Sequence, residues 1–172
     1  MIFESVENLH PSIDPTAVVF PSAVVTGDVA IGADASVWHQ AVVRGDMAPV
    51  AIGAMTNVQD GAVIHTNTDL PTRIGARVTI GHGAIVHAAT VEDDALIGMG
   101  AILLDGSIVG EGAMVAAGTV VPPRKTIPPR MLAIGNPMRI ARPVTDAERA
   151  ANRRNVERYV ALAKASAKGN VR

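Results

Sequence analysis

Cysteine is absent from this 172-residue sequence, so the chain can form neither a disulfide nor a thiolate metal site. The same absence fits a reducing compartment, and we expect a cytoplasmic protein. Aromatic residues are also scarce, because they make up only 2% of a chain that is 48% hydrophobic. A core made almost entirely of small aliphatic side chains indicates a narrow, repetitive fold rather than a broad sandwich.

Long apolar runs and clusters of like charge are missing as well. No apolar run approaches the roughly 18 residues of a membrane-spanning helix, and the N-terminal stretch lacks the basic and apolar regions of a signal peptide. The formal net charge is −1, which gives binding to nucleic acid or to a membrane surface no electrostatic support. We therefore expect no nucleic-acid partner and no membrane partner.

Aliphatic residues, in contrast, recur every six positions along most of the chain. A period of six matches neither the 3.6 of a helix nor the 2 of a strand, and it is typical of a parallel β-helix in which three hexads close one coil. Nineteen such positions predict an all-β solenoid of about six coils. They are Ile13, Val19, Val25, Ile31, Val37, Val43, Ile52, Val58, Ile64, Ile74, Ile80, Val86, Val91, Ile97, Leu103, Val109, Val115, Val121 and Ile127.

Three intervals break this period, and all lie in the middle of the chain. Val43 and Ile52 are nine residues apart, Ile64 and Ile74 are ten apart, and Val86 is only five residues before the next aliphatic. The longest interval contains the loop "TNTDLP". Insertions in solenoids emerge on one face, which is often the functional face.

The C-terminal segment departs from the repeat. The prolines of "PPRKTIPPRMLAIGNPMRIARPV" cannot donate ladder hydrogen bonds, which predicts that the sheet ends after Ile127. Thr145 and Glu148 then form a capping-box pattern ahead of a helix. We therefore expect a β-helix domain over residues 1–140 and, over residues 141–172, a C-terminal helix packed on the solenoid.

The period places histidines of different hexads side by side. The hexads that begin at Val43, Ile64 and Val86 are three apart, so they share one side in successive coils, about 4.8 Å from each other. The residues that follow these aliphatics are Arg44, His65 and His87. A lone histidine in a solenoid wall is more often a surface residue, but two in adjacent coils, with a third nearby, favour a shared metal ion.

His82 lies on the preceding side of the predicted prism, above Asp60 and His39. It is badly placed to complete a site with the histidines of its own chain, but a second chain could supply its own His82 across an interface. Cyclic repetition of this contact predicts a homotrimer with three sites. Three imidazoles with an open fourth position are the ligand set of catalytic zinc. His39 is left as a structural residue.

Two segments carry a resemblance to a known family. "VVRGDMAPVAIGAMTNVQDGAVIH" and "VTIGHGAIVHAATVEDDALIGMGAILLDGSIV" resemble the γ-class carbonic anhydrase-like proteins, from about residue 10 to residue 140. The resemblance implies a left-handed β-helix and a zinc ion, or iron or cobalt, bound by His65 and His87 of one subunit and His82 of its neighbour. The implied reaction is reversible hydration of carbon dioxide to bicarbonate by a metal-bound hydroxide.

The resemblance also implies roles for polar residues around the metal. Arg44 and Asp46 would form an ion pair between subunits, although they could equally be a surface pair. Gln59 would orient the reacting water or the small-molecule substrate, with Asn57 and Asp60 in support.

The chain differs from the best-known active members at two places, which leaves other functions open. Met47 stands where those members have a glutamate, and Asp69 is the only carboxylate of the loop at residues 66–71. One alternative is a metal-dependent thioesterase or acyltransferase that acts on a coenzyme A thioester. Another is a trimeric scaffold that binds metal without catalysis.

Overall fold

The computed structural model describes residues 2–4 and 9–169. These residues form a parallel β-solenoid of about seven turns, followed by a short antiparallel strand and a single α-helix. The predicted all-β solenoid with a C-terminal helix is therefore confirmed. The strands and the helix are β1 (Ile2–Glu4), β2 (Ser12–Ile13), β3 (Val18–Val19), β4 (Val24–Ile31), β5 (Ser36–Val37), β6 (Val42–Ile52), β7 (Asn57–Val58), β8 (Val63–His65), β9 (Thr72–Ile74), β10 (Thr79–Ile80), β11 (Ile85–His87), β12 (Thr90–Val91), β13 (Leu96–Ile97), β14 (Ile102–Leu103), β15 (Ile108–Val109), β16 (Met114–Val115), β17 (Val120–Val121), β18 (Thr126–Ile127), β19 (Met131–Ile134), β20 (Arg139–Pro143) and α1 (Asp146–Gly169).

Three flat sides make up the solenoid. One side stacks β2, the end of β4, the end of β6, β9, β12, β15 and β18. The second side stacks β3, β5, β7, β10, β13, β16 and β19, with β20 antiparallel at its edge. The third side, which carries the histidine pair, stacks the starts of β4 and β6 with β8, β11, β14 and β17.

The inward aliphatic of each hexad accounts for the core. On the third side Val43 pairs with Ile64, and Ile64 pairs with Val86, as the six-residue period predicts. All three side chains are fully buried, because the aliphatics of neighbouring coils cover one another. The buried stack fixes the register of the polar residues beside it, since a slip of one position would turn every inward side chain outward.

The sheet continues one side further than the prolines predict. Ala133 of β19 is fully buried and pairs with Val115 of β16, so the coil count is about seven rather than six. Pro122 and Pro128 lie just outside the paired strands, and their carbonyl oxygens accept hydrogen bonds from residues three positions later. A missing N–H at these corners therefore costs no ladder hydrogen bond.

The helix α1 begins where the capping box predicts. The backbone N–H of Glu148 donates to the Thr145 hydroxyl at 3.2 Å, and the Glu148 carboxylate accepts from the Thr145 backbone N–H at 2.9 Å. The helix covers the second side, where the rings of Tyr159 and Trp38 pack in a T-shaped arrangement with their centroids 5.3 Å apart. Within the described residues, no helix is both long and apolar enough to cross a membrane. A domain boundary at residue 140, which falls inside β20, stays a prediction.

Candidate metal centre

His65 and His87 meet on the third side of the solenoid. They occupy the same register position in adjacent strands, β8 and β11, as the repeat predicts. Their rings are tilted by 59°, and His65 Nδ1 lies 3.2 Å from His87 Nε2. Two residues 22 positions apart in sequence thus present nitrogen atoms to a common point.

A carboxylate holds the other nitrogen of each ring. Asp46 Oδ1 lies 2.9 Å from His65 Nε2, and Asp105 Oδ1 lies 2.6 Å from His87 Nδ1. Burial raises the pKa of Asp46, but hydrogen bonds from His65 and Arg44 outweigh it and leave that pKa below its ordinary value. Hydrogen bonds from Asn67 and His87 lower the pKa of Asp105. Both carboxylates are therefore ionised at neutral pH and can only accept hydrogen bonds.

These partners favour one tautomer of each imidazole when the ring is neutral. Each neutral ring places its single N–H toward its carboxylate, so His65 Nδ1 and His87 Nε2 both carry lone pairs. Two lone pairs that face each other at 3.2 Å repel, unless a proton or a metal cation lies between them. Carboxylate-bound imidazoles of this kind are the usual ligands of zinc.

The distance between the facing nitrogens also fits one ion. Zinc–nitrogen bonds are about 2.0–2.1 Å long, and two such bonds at a tetrahedral angle separate the nitrogens by about 3.4 Å. The observed separation is 3.2 Å. The residues present therefore fit a shared zinc ion, with His65 and His87 as two of its ligands.

Arg44 and Asp46 lie beside this pair. The Arg44 guanidinium donates to Asp46 of its own chain, and Asp46 in turn contacts His65. Arg44 pairs with Thr26 in the coil below. The pairing of β6 with β8 in the coil above ends one residue earlier, at Val43, so it does not include Arg44 and His65. An ion pair between subunits stays a prediction.

His82 lies in a different column, as the register predicts. Gly61 N–H donates to the His39 carbonyl, and Gly83 N–H donates to the Asp60 carbonyl, both at 3.0 Å, which places these residues one above another. His82 Nδ1 lies 3.0 Å from Asp60 Oδ2, and the His82 side chain is 44% exposed.

One chain thus brings together two of the three predicted ligands. Across residues 2–4 and 9–169, no group of three or more histidine, cysteine, aspartate or glutamate side chains is arranged to hold a metal ion within the single chain. His39, with its Nδ1 2.9 Å from the Ser22 hydroxyl, contacts neither His65 nor His87 among the recorded hydrogen bonds of this part of the chain.

Gln59 and Asn57 form a buried polar pair near His82. The Gln59 amide donates to Asn57 Oδ1 at 3.0 Å, and the Asn57 amide donates to the Thr79 hydroxyl at 3.2 Å. Gln59, His82 and Tyr159 of α1 line one open cleft of about 270 Å³. Burial raises the pKa of Tyr159, with a further contribution from the charge of Asp60.

Sequence reasoning missed Asp105 and Asn67. Asp105 lies one coil above His87, and Asn67 lies in the inserted loop and donates to Asp105 Oδ2 at 2.7 Å. The hexad register alone could have placed Asp105 near His87. Leu103 pairs with Val86, His87 follows Val86 by one residue, and Asp105 follows Leu103 by two. No pattern in the sequence indicates the reach of Asn67 across two coils.

Comparison with known proteins shows the family to which this chain belongs. The family described as bacterial transferase hexapeptide (six repeats) matches residues 88–123. A carbonic anhydrase of Geobacillus kaustophilus is 43% identical over 136 residues, which cover 79% of this chain and 75% of that protein. The chain belongs to the γ-class carbonic anhydrase-like family of hexapeptide-repeat proteins. The mitochondrial γ carbonic anhydrase 2 of Arabidopsis thaliana is 44% identical over 93% of this chain, which spans only 60% of the length of that relative.

Other members of this fold carry different names. The carnitine operon protein CaiE of Salmonella newport is 39% identical over 95% of this chain and 82% of its own length. A solved structure of a hexapeptide transferase family protein from Anaplasma phagocytophilum is 38% identical, covers 94% of this chain and 95% of its own, and has a TM-score of 0.90. The solved structures that this chain resembles, among them the Anaplasma protein, are left-handed β-helices, as the resemblance implies.

Proposed function

We propose that this chain is a zinc-dependent carbonic anhydrase-like enzyme that catalyses the reversible hydration of carbon dioxide to bicarbonate. The site would lie between the subunits of a homotrimer, with His65 and His87 from one subunit and His82 from its neighbour as zinc ligands. Iron or cobalt would be alternative metals. The small-molecule substrate and a cytoplasmic location belong to the same proposal.

One observation carries the proposal more than any other. The facing nitrogens of His65 and His87 are 3.2 Å apart, and the opposite nitrogen of each ring is held by an ionised carboxylate. This arrangement is unfavourable for two neutral imidazoles and favourable for a cation between them. A surface histidine pair without such a role would not need both carboxylates.

The residues around the metal would have different roles in the proposed reaction. A zinc ion held by three imidazoles would supply a nucleophile at neutral pH, because it lowers the pKa of bound water to about 7. Asp60 Oδ2 lies 3.0 Å from Nδ1 of His82. In the proposed site, Nε2 on the other side of that ring would be the atom that binds the metal across an interface. The exposure of His82 in the single chain, 44%, suits a residue that a partner covers.

Gln59 is suited to position the reacting water or the substrate. Its amide nitrogen is fixed by Asn57, which is itself fixed by Thr79, so the remaining amide oxygen has a restricted direction. Both side chains are buried, which lowers the local dielectric and strengthens such a hydrogen bond. The shared cavity brings Gln59 into the same space as His82.

A second candidate is a metal-dependent thioesterase or acyltransferase that acts on a coenzyme A thioester. The similarity to a hexapeptide transferase family protein over nearly the whole chain favours it. A trimeric metal-binding scaffold would use the same histidines without turnover.

Zinc content and two activity assays separate these functions. We expect about one zinc per chain, carbon dioxide hydration in stopped flow, and loss of both in a His82→Ala variant. Zinc with acyl-coenzyme A turnover and no hydration would favour the second candidate. Bound zinc without either activity would favour the non-catalytic metal-binding scaffold.

A further inference from the structure

Asp105 and Asn67 lie next to the proposed metal ligand His87, and neither belongs to the predicted ligand set. They connect three coils of the solenoid. His65 and Asn67 belong to one coil, His87 to the next, and Asp105 to the coil above that.

The contact between Asp105 and His87 fixes the form of the imidazole. Asp105 Oδ1 lies 2.6 Å from His87 Nδ1, which is close to the shortest hydrogen bond of this type. A carboxylate oxygen accepts at this position, so in a neutral His87 ring Nδ1 carries the hydrogen and Nε2 carries the lone pair. The same contact holds the ring plane so that Nε2 points at His65 Nδ1.

Asn67 acts on His87 through Asp105. Its amide donates to the second carboxylate oxygen, Oδ2, at 2.7 Å, which stops rotation of the Asp105 carboxyl. The Asn67 side-chain oxygen Oδ1 accepts from the Thr68 backbone N–H, and the Asn67 backbone forms two hydrogen bonds with Leu70. The inserted loop therefore holds Asn67 rigidly and in one orientation.

We propose that Asp105 and Asn67 are positioning residues that select the Nδ1–H form of His87 and aim its Nε2 at the metal. This inference rests on the proposed role of His87 as a ligand. It gives the four-residue insertion after Ile64 a function, because the insertion carries the amide that locks Asp105. Carboxylates that orient a ligating histidine typically change metal affinity by about 10- to 100-fold.

The first test is a spectroscopic measurement on the metal-free protein. Long-range ¹⁵N–¹H correlation spectra of the histidine rings, recorded near pH 8.5, distinguish the two neutral forms. We expect His87 in the Nδ1–H form in the wild type and a shift toward the Nε2–H form in an Asp105→Asn variant. An unchanged His87 spectrum in that variant would overturn the proposal.

Asp34→Asn is the matched control. Asp34 pairs with Lys164 at 2.7 Å and is 33% exposed, compared with 2.6 Å and 35% for Asp105, but it contacts α1 rather than a histidine. We expect Asp34→Asn to leave the His87 spectrum unchanged. A similar change in both variants would mean that loss of any carboxylate perturbs the ring, which would also overturn the proposal.

The second test measures zinc affinity by competition with a chelator. We expect Asp105→Asn to weaken zinc binding by about 10- to 100-fold and Asn67→Ala to weaken it less. Because Asn67 acts through Asp105, the double variant should bind zinc no more weakly than Asp105→Asn alone. Equal zinc affinity of Asp105→Asn and wild type, or additive losses of affinity in the double variant, would contradict the proposal that Asn67 acts on His87 through Asp105.

These two tests distinguish failure of the positioning role of Asp105 and Asn67 from failure of the proposed function. The spectrum of the metal-free protein tests Asp105 and Asn67 without reference to any reaction. A wild type that shows the expected His87 form but binds no zinc would contradict the metal-dependent function and leave the assignment of the ring form intact.

Discussion

His65 Nδ1 and His87 Nε2 face each other at 3.2 Å across two adjacent coils. The separation arises from the backbone, because β8 and β11 pair in register at these two residues. Ionised carboxylates on the far side of both rings leave the facing atoms without protons of their own. In the proposed metal site this pair supplies two ligands, and His82 of a neighbouring subunit supplies the third.

Removal of either histidine should abolish metal binding. We expect His65→Ala and His87→Ala to lose zinc and hydration activity, because each removes one of two ligands from the same chain. His39→Ala is the control, since His39 contacts Ser22 and the Phe20 ring instead. Zinc content by mass spectrometry and stopped-flow hydration give the readout. Full zinc content in His87→Ala would contradict the assignment.

Proton release should limit turnover in this chain. Met47 is 47% exposed and cannot carry a proton, and Asp69 is the only carboxylate in the adjacent loop at residues 66–71. We expect turnover to rise with buffer concentration, and a Met47→Glu variant to raise kcat by about 10-fold or more at low buffer. The value of kcat/KM should stay nearly constant, because proton release follows the chemical step. A wild type that is fast and independent of buffer would show that another group carries the proton.

Shortening a buried side chain of the aliphatic stack should lower the free energy of unfolding substantially. Ile97 is fully buried between Ile80 and Val115 in the neighbouring coils. We expect Ile97→Ala to lower the free energy of unfolding by about 2–5 kcal/mol. Ile108, which is 38% exposed, is the control, and Ile108→Ala should cost less than about 0.5 kcal/mol. Denaturant titrations at one protein concentration test both, since oligomer stability depends on concentration.

Acid should remove the contribution of Asp94 to stability. Arg77 donates to both oxygens of Asp94, at 2.9 and 2.8 Å, and these hydrogen bonds lower the pKa of Asp94 despite partial burial. A lowered folded-state pKa stabilises the protein above the unfolded-state pKa of about 3.9, and this stabilisation is lost as the pH falls through the folded-state value.

The measurement for Asp94 is the free energy of unfolding at several pH values. We expect Asp94→Asn to cost about 1 kcal/mol at pH 7, a value reduced by solvent screening, and the cost to shrink toward pH 2. Asp28→Asn, at an exposed side chain, controls for removal of one negative charge. A cost for Asp94→Asn that is constant between pH 7 and pH 2 would exclude an ionic contribution.

The repeat period was sufficient to predict the pairing of His65 with His87. Each inward aliphatic must stack on its equivalent one coil away, so the next residue in the hexad is placed as well. His82 above Asp60 follows from the same periodicity. These positions follow from the stacking of the inward aliphatic residues, which recur with one period of six along the chain.

Features outside the period were not predictable in the same way. Asn67 lies in an insertion whose conformation depends on its own turn hydrogen bonds, and its contact with Asp105 spans 38 residues. The prolines of the C-terminal segment predict the end of the sheet, but Pro122 and Pro128 occupy corners where no N–H is required. The position of Tyr159 depends on the docking of α1 against Trp38, which a one-dimensional pattern does not specify.

Mixed trimers test the central claim most directly. Two differently tagged variants, His65→Ala and His82→Ala, would be co-expressed, and trimers that carry both tags would be purified. Each variant alone should lack intact sites. In a mixed cyclic trimer, one interface of the three joins an intact His65 and His87 pair to an intact His82, so about one third of wild-type zinc and hydration activity should return.

Co-expression of His65→Ala with His87→Ala is the control. Both ligands of that pair must come from the same chain, so these mixed trimers should recover neither zinc nor activity. Recovery of about one third in the first mixture and none in the second is the result that a metal site shared between subunits predicts. No recovery in the first mixture would contradict it.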